Sequence, residues 1–149
     1  MTLARRRDLL IHVLDTLVPA GPELPLAGSV ALDHVLALAH ASTEVDTLLS
    51  GALDLVEDAA RSTAVDFAAL DADGRERVLR RAEATDRLRF DALVQHAYDG
   101  YYSHPAVLTR LGLEPGPLHP RGHRVEAVEL PDELARVAAG RTTYRRIQP

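Results

Sequence analysis

A chain of 149 residues is long enough for one domain with a single hydrophobic core. Its 22 acidic and 17 basic residues give a net charge of −5, and an acidic chain without a basic stripe is a poor binder of nucleic acid. The chain has no cysteine, which excludes disulfides, thiolate zinc sites and iron–sulfur clusters. No apolar run is long enough to form a membrane span.

The first predicted helix lies near the start of the chain. Its apolar residues recur at the spacing of one helix face: Leu9, Leu10, Val13, Leu14 and Leu17. Pro19 ends it, because proline disfavours helical dihedrals in the residue before it. The stretch from Pro19 to Gly28 holds three prolines and two glycines, which predicts an irregular loop.

Capping residues predict where the next helices begin. Ser29 is the predicted N-cap of a second helix, and Thr43, with Asp46 three residues later, is the predicted N-cap of a third. After a break at Phe67–Gly74, the spacing of Asp73 and Glu76 predicts the start of a fourth.

The most regular apolar pattern belongs to a fifth predicted helix, which carries Phe90, Leu93, Val94, Ala97, Tyr98 and Tyr101. A short sixth helix is predicted from Pro105 to Gly112, since proline suits the first helical position and glycine the left-handed residue past the end. The range 113–122 reads as another loop, and 131–139 as a last short helix.

These patterns predict an all-α fold, a compact bundle of about six to seven helices with long loops rich in proline and glycine. The best strand candidate, residues 125–130, stands alone and cannot make a sheet. We expect a helical domain over residues 1–125, followed at 126–149 by a short helix and a basic tail. The range 31–73 has nine acidic residues and one arginine, which indicates either a solvated acidic face or a surface for a basic partner.

Motifs for chemistry are weak. The histidines lack metal-site spacing, so a metal or haem enzyme using His96, His104, His119 or His123 is a minor alternative. No nucleophile elbow or glycine-rich phosphate loop is present.

The run Arg5-Arg6-Arg7-Asp8-Leu9-Leu10 is similar to a twin-arginine export motif, but charged and polar residues interrupt the apolar run behind it. We interpret it as the exposed basic end of the first helix.

Aromatic residues cluster at one place. The chain has six aromatic residues, and three tyrosines fall within Tyr98-Asp-Gly-Tyr-Tyr-Ser-His-Pro105. Tyr98 and Tyr101 continue an apolar stripe that can be core, whereas Tyr102 falls off it. Because tyrosine is favoured at protein interfaces, this corner is the best candidate functional surface.

Three blocks of sequence point to one known family. They are Leu14-Asp-Thr-Leu-Val-Pro-Ala-Gly21, Phe67-Ala-Ala-Leu70, and Tyr98–Pro105 followed by Leu108, Leu111 and Gly112. In order and spacing they resemble the opening block, the middle block and the Gly-Tyr-Tyr-Ser-x-Pro signature of the gluconate 2-dehydrogenase subunit 3 family. The resemblance covers roughly residues 9–118.

The resemblance implies a non-catalytic small subunit that binds and stabilises a large FAD-dependent dehydrogenase of the glucose–methanol–choline type. It implies FAD in the partner, no cofactor in this chain, and in some complexes an electron-acceptor protein. The expected partner-binding residues are Pro19, Gly21, Tyr98, Tyr101, Tyr102, Ser103, His104 and Pro105, with Tyr101 and Tyr102 as anchors.

Family members often carry a clear twin-arginine leader, and its absence here leads us to expect a cytoplasmic complex, with export alongside a partner as the alternative. A free-standing helical adapter or regulator without a flavoprotein partner is the alternative function.

Overall fold

A computed structural model describes residues 3–19, 21–63 and 65–116, and this part of the chain is built from helices without a strand. The α-helices are α1 (Arg7–Leu17), α2 (Ala27–Val30), α3 (Leu32–Ala41), α4 (Thr43–Arg61), α5 (Ala72–Thr85), α6 (Arg87–Tyr102) and α7 (Pro105–Arg110). Short 3₁₀ turns precede α1 and α5, at Leu3–Arg6 and Phe67–Ala69. The predicted all-α helical bundle is confirmed. The predictions for 125–130, 131–139 and the basic tail lie outside the described residues.

The long helix α4 lies at the centre of the packing, where it contacts α3, α5 and α6. Its buried residues Leu49, Leu53 and Val56 recur at helical spacing and are completely shielded from solvent. Truncating a buried leucine of this kind to alanine costs about 2–5 kcal/mol, since it loses apolar burial and leaves a cavity. The core around α4 therefore fixes the positions of α3 and α6, which carry the surfaces described below.

The arginine-rich start of the chain is part of this core. Leu3 and Leu10 are fully buried, and the Arg6 side chain is only 8% exposed. The Arg6 guanidinium donates hydrogen bonds to the Ser50 carbonyl at 3.2 Å and to Asp54 Oδ1 at 2.5 Å. The interpretation of this run as an exposed basic end is therefore wrong for Arg6, because acceptors on α4 bind its side chain.

Two helices have their N-caps one or two residues before the predicted caps. The N-cap of α4 is Ser42, whose hydroxyl accepts from the Val45 N–H at 3.3 Å, and Thr43 is the first helical residue. The N-cap of α5 is Asp71, whose Oδ1 accepts from the Gly74 N–H at 2.8 Å. Another capping residue lies one position before predicted Thr43 and two positions before predicted Asp73, and in each case the earlier residue is the one with extended dihedrals.

The predicted loop at 19–28 is shorter than expected, because α2 begins at Ala27. Ser29 lies inside α2 and donates its hydroxyl to the Leu26 carbonyl, so it is not the predicted cap. Asp15 of α1 accepts a hydrogen bond from the Gly28 N–H at 2.6 Å. A Cβ at Gly28 would lie 2.8 Å from the Ile11 carbonyl oxygen. Because glycine has no Cβ, the backbone of α2 can pack directly against the backbone of α1 at this position.

Candidate functional site

The C-terminal half of α6 positions the tyrosine-rich surface. Its inner face carries Phe90, Leu93 and Ala97, all buried in the core. At Gly100 the helix comes close to the start of α3, where an added Cβ would lie 3.2 Å from the Ala31 carbonyl oxygen and 3.1 Å from His34 Cβ. The glycine of the Gly-Tyr-Tyr signature is thus a contact point between two helices, and it fixes the rotation of the tyrosines that follow.

Tyr101 points inward. Its side chain is 1% exposed, and its hydroxyl donates a hydrogen bond to the Pro25 carbonyl at 2.9 Å. Burial raises the pKa of the Tyr101 hydroxyl above its ordinary value, because ionisation would place a charge away from water, and neighbouring Tyr102 adds to this shift. Tyr101 therefore ties the proline-rich loop to α6, and its ring is not on the surface that a partner would meet.

Tyr98 and Tyr102 are the exposed tyrosines of the corner, where Ser103 and Pro105 are exposed too. They lie one helical turn apart, and their rings stack with centroids 5.8 Å apart and planes within 7° of parallel. The two residues are 41% and 47% exposed. The rings of Tyr102 and buried Tyr101 also pack in a T-shaped pair, with centroids 5.1 Å apart and planes at 88°. Tyr98 thus lies outside the core stripe to which its spacing pointed, whereas Tyr102 is off the stripe as predicted.

Two residues in the turn after α6, His104 and Pro105, determine where α7 begins. His104 caps α7 by accepting the Ala106 N–H at Nδ1, 3.3 Å away, and Pro105 occupies the first helical position as predicted. The C-terminal end of α7 is also capped as predicted. Gly112 follows the helix with φ +74°, and the Leu113 N–H donates a hydrogen bond to the Leu108 carbonyl at 2.9 Å.

The loop between α1 and α2 runs alongside this corner. Pro19 and Gly21 are exposed there, and it is Pro25 rather than either of them that bonds to Tyr101. A shallow cavity of about 340 Å³ lies between this loop and α7, where Arg110 and Glu23 approach to 3.5 Å. The structure thus brings the two predicted segments together through Pro25, a contact for which the sequence offers no local signal.

We use the name tyrosine corner for residues 98–105. Of the seven large apolar side chains exposed within the described ranges, five belong to the corner or to segments adjoining it: Leu26, Tyr98, Tyr102, Leu111 and Leu113. The three leucines were not among the expected partner-binding residues. Exposed apolar side chains concentrated at one end of a domain are typical of a surface that binds another protein.

The four histidines named as candidates for a metal or haem site are not brought together in the described residues. His96 Nδ1 lies 4.0 Å from Asp99 Oδ2, and His104 caps a helix, while His119 and His123 lie outside the described residues. Within 3–19, 21–63 and 65–116, no three side chains of histidine, aspartate or glutamate converge as a metal site would require. In the same ranges no helix has the length and apolar character needed to cross a bilayer.

Comparison with protein families gives a match where the resemblance predicted it. The family model described as gluconate 2-dehydrogenase subunit 3 matches residues 4–114, which span about three quarters of the chain and the whole tyrosine corner. The helical domain is thus of the dehydrogenase-subunit class. The chain belongs to the gluconate 2-dehydrogenase subunit 3 family. No curated protein and no solved structure matches it significantly.

Proposed function

We propose that this chain is a non-catalytic accessory subunit that binds and stabilises the large subunit of an FAD-dependent sugar or alcohol dehydrogenase. The observation that carries the proposal is the exposed, stacked pair Tyr98 and Tyr102 within a family match to a dehydrogenase subunit. FAD in the partner, transfer of electrons to a further acceptor protein, and a cytoplasmic location are parts of the same proposal.

The stacked pair has the physical properties of an interface anchor. Each ring offers a large apolar face and a hydroxyl that can stay hydrated at the rim. Because the Tyr102 ring packs against both Tyr98 and Tyr101, its rotamer is largely fixed before binding. Preorganised side chains lose less conformational entropy on association, so more of the contact energy contributes to affinity.

This geometry gives different roles to Tyr101 and Tyr102, which were both expected to be anchors. Tyr102 is the anchor in this proposal, with Tyr98 beside it. Buried Tyr101 is a positioning residue, which holds α6 against the Pro25 loop and supports the Tyr102 ring from below.

Stabilisation of the partner follows from mass action. A subunit that binds only the folded large subunit stabilises it by RT ln(1 + [L]/Kd), which is about 2.7 kcal/mol when its free concentration is a hundred times Kd. No catalytic group in the small subunit is needed for this effect. The proposal therefore expects the large subunit to be less stable and less abundant when its small subunit is missing.

The test is purification of the affinity-tagged chain from its native cells. We expect a large polypeptide with flavin absorbance to copurify in fixed stoichiometry. Tyr102→Ala should weaken the complex by about 2 kcal/mol, roughly 30-fold in Kd, as is typical for loss of a tyrosine anchor.

Leu88→Ala is the matched control. Leu88 is 76% exposed on the same helix, about 15 Å along its axis from Tyr98. It should leave the affinity unchanged. An untouched complex with Tyr102→Ala, when the variant's helical circular dichroism is normal, would refute the anchor assignment. Failure of any flavoprotein to copurify with the wild-type chain would refute the proposed function itself.

A further inference from the structure

A second concave surface shares no lining residue with the tyrosine corner. It is a cleft of about 600 Å³ bordered by the start of α1, the end of α4 and the segment before α5, and we call it the acidic cleft. Its volume falls within the range of sites that enclose several side chains or a small ligand. Nothing in the proposed function accounts for it.

The wall of the acidic cleft is apolar. Leu9 of α1, Ala60 of α4 and Phe67 of the 3₁₀ turn contribute to its lining, and Val65, 46% exposed, stands at its edge. The turn that carries Phe67 is held by Arg75, which donates to the Phe67 carbonyl at 3.3 Å and to the Ala68 carbonyl at 2.6 Å. These bonds hold in place the segment that forms one side of the cleft.

The charged groups that face the cleft are mostly carboxylates. Asp8 and Asp66 are exposed, and across the described ranges no arginine lies within ion-pair distance of either. Glu57 lies 3.6 Å from the Arg6 guanidinium, which neutralises part of its charge. The one cation in the lining, Arg61, is bound by Asp58 of its own helix. Asp8 and Asp66 thus border an apolar wall without an ion-pair partner in the described part of the chain.

This combination defines a chemistry for the occupant. An apolar side chain would bury against Leu9 and Val65, while a guanidinium or ammonium group beside it would meet Asp8 and Asp66. An anionic occupant would be repelled, and an apolar one without a cation would leave both carboxylates with no partner. Complementary charge of this kind raises the association rate and selects the partner more than it raises affinity.

We infer that the acidic cleft binds a segment of the large dehydrogenase subunit in which an apolar residue lies next to arginine or lysine. This second contact rests on the proposed function and adds to it, because it gives the complex an electrostatic site separate from the tyrosine corner. Two contacts on one rigid partner reinforce each other through effective concentration.

The test uses the complex purified through the tagged chain and measures Kd at low and high salt. Asp8→Asn combined with Asp66→Asn removes both charges with little change of shape. We expect the Kd to rise about tenfold at low salt, and this difference to shrink at high salt, where screening acts over a few ångströms. Val65→Ser should weaken binding at both salt concentrations, because it removes apolar contact.

The matched control is Glu44→Gln combined with Asp91→Asn, which removes two exposed carboxylates outside the cleft. It should leave both Kd and its salt dependence at wild-type values. Equal effects of the two double variants would overturn the inference, since net charge alone would then explain them.

The inference and the proposed function fail in different ways. If the cleft variants bind like wild type while Tyr102→Ala weakens the complex, the inference is wrong and the proposed function stands. If the wild-type chain binds no flavoprotein at all, both are wrong.

Discussion

Gly100→Ala should destabilise the protein although alanine is the better helix former. In an exposed helix interior the change gains about 1 kcal/mol. At Gly100 the new methyl would lie 3.0 Å from His34 Cδ2, which a change of rotamer can move. It would also lie 3.2 Å from the Ala31 carbonyl oxygen and 3.1 Å from His34 Cβ, atoms that move only with the backbone at the start of α3. Overpacking of this kind costs about 1–3 kcal/mol, so we expect a net loss of about 1 kcal/mol.

Gly51→Ala is the comparison that isolates this effect. Its new methyl would meet Arg89 at 3.0 Å, but those atoms belong to the far part of a side chain that is 48% exposed and can swing away. We therefore expect Gly51→Ala to stabilise the protein by up to about 1 kcal/mol.

Urea unfolding followed by far-ultraviolet circular dichroism measures both variants, since the chain has no tryptophan. With a denaturant slope of about 2 kcal/mol per molar, the midpoint should fall by about 0.5 M for Gly100→Ala and rise by up to about 0.5 M for Gly51→Ala. A rise of the midpoint for both variants would refute the close contact between α6 and α3.

Three further predictions concern stability. Tyr101→Phe should lower the unfolding free energy by about 1 kcal/mol and Tyr102→Phe by almost nothing, because only Tyr101 loses an internal hydrogen bond. Since the folded pKa of Tyr101 is raised, its contribution is fully present below pH about 10 and is lost as pH rises further, so wild type and Tyr101→Phe should converge in unfolding titrations at alkaline pH. Asp71→Ala should cost about 1 kcal/mol and Asp73→Ala less in thermal melts, because Asp71 is the cap. Arg6→Gln should cost about 1–2 kcal/mol in urea titrations at low salt and less at high salt; no salt dependence would contradict the ion pair with α4.

Local patterns in the sequence were sufficient for most of the helices. The spacing from Phe90 to Tyr101 predicts α6, and Pro105 with Gly112 predicts both ends of α7, because each feature acts within a few residues. Cap positions were less certain where two capping residues are adjacent, as at Ser42 and Thr43. There the choice depends on backbone dihedrals that the tertiary fold sets.

The contacts that build the candidate site are mostly long-range, and sequence patterns do not reveal them. Tyr101 bonds to Pro25, 76 residues away, and Arg6 bonds to Asp54, 48 residues away. The sequence located the tyrosine cluster and indicated that Tyr102 is off the apolar stripe. It could not distinguish exposed Tyr98 from buried Tyr101, because both have spacing that suits the inner face of α6.

The most direct test of the account is the Kd between the purified chain and the flavin-loaded large subunit, measured for wild type and for Tyr102→Ala. We predict a defined complex of the two chains whose Kd rises roughly 30-fold in the variant, with melting curves that show both forms of the small subunit folded at the assay temperature. A chain that forms no complex with a flavoprotein, or one that binds it equally well without the Tyr102 ring, would contradict the account.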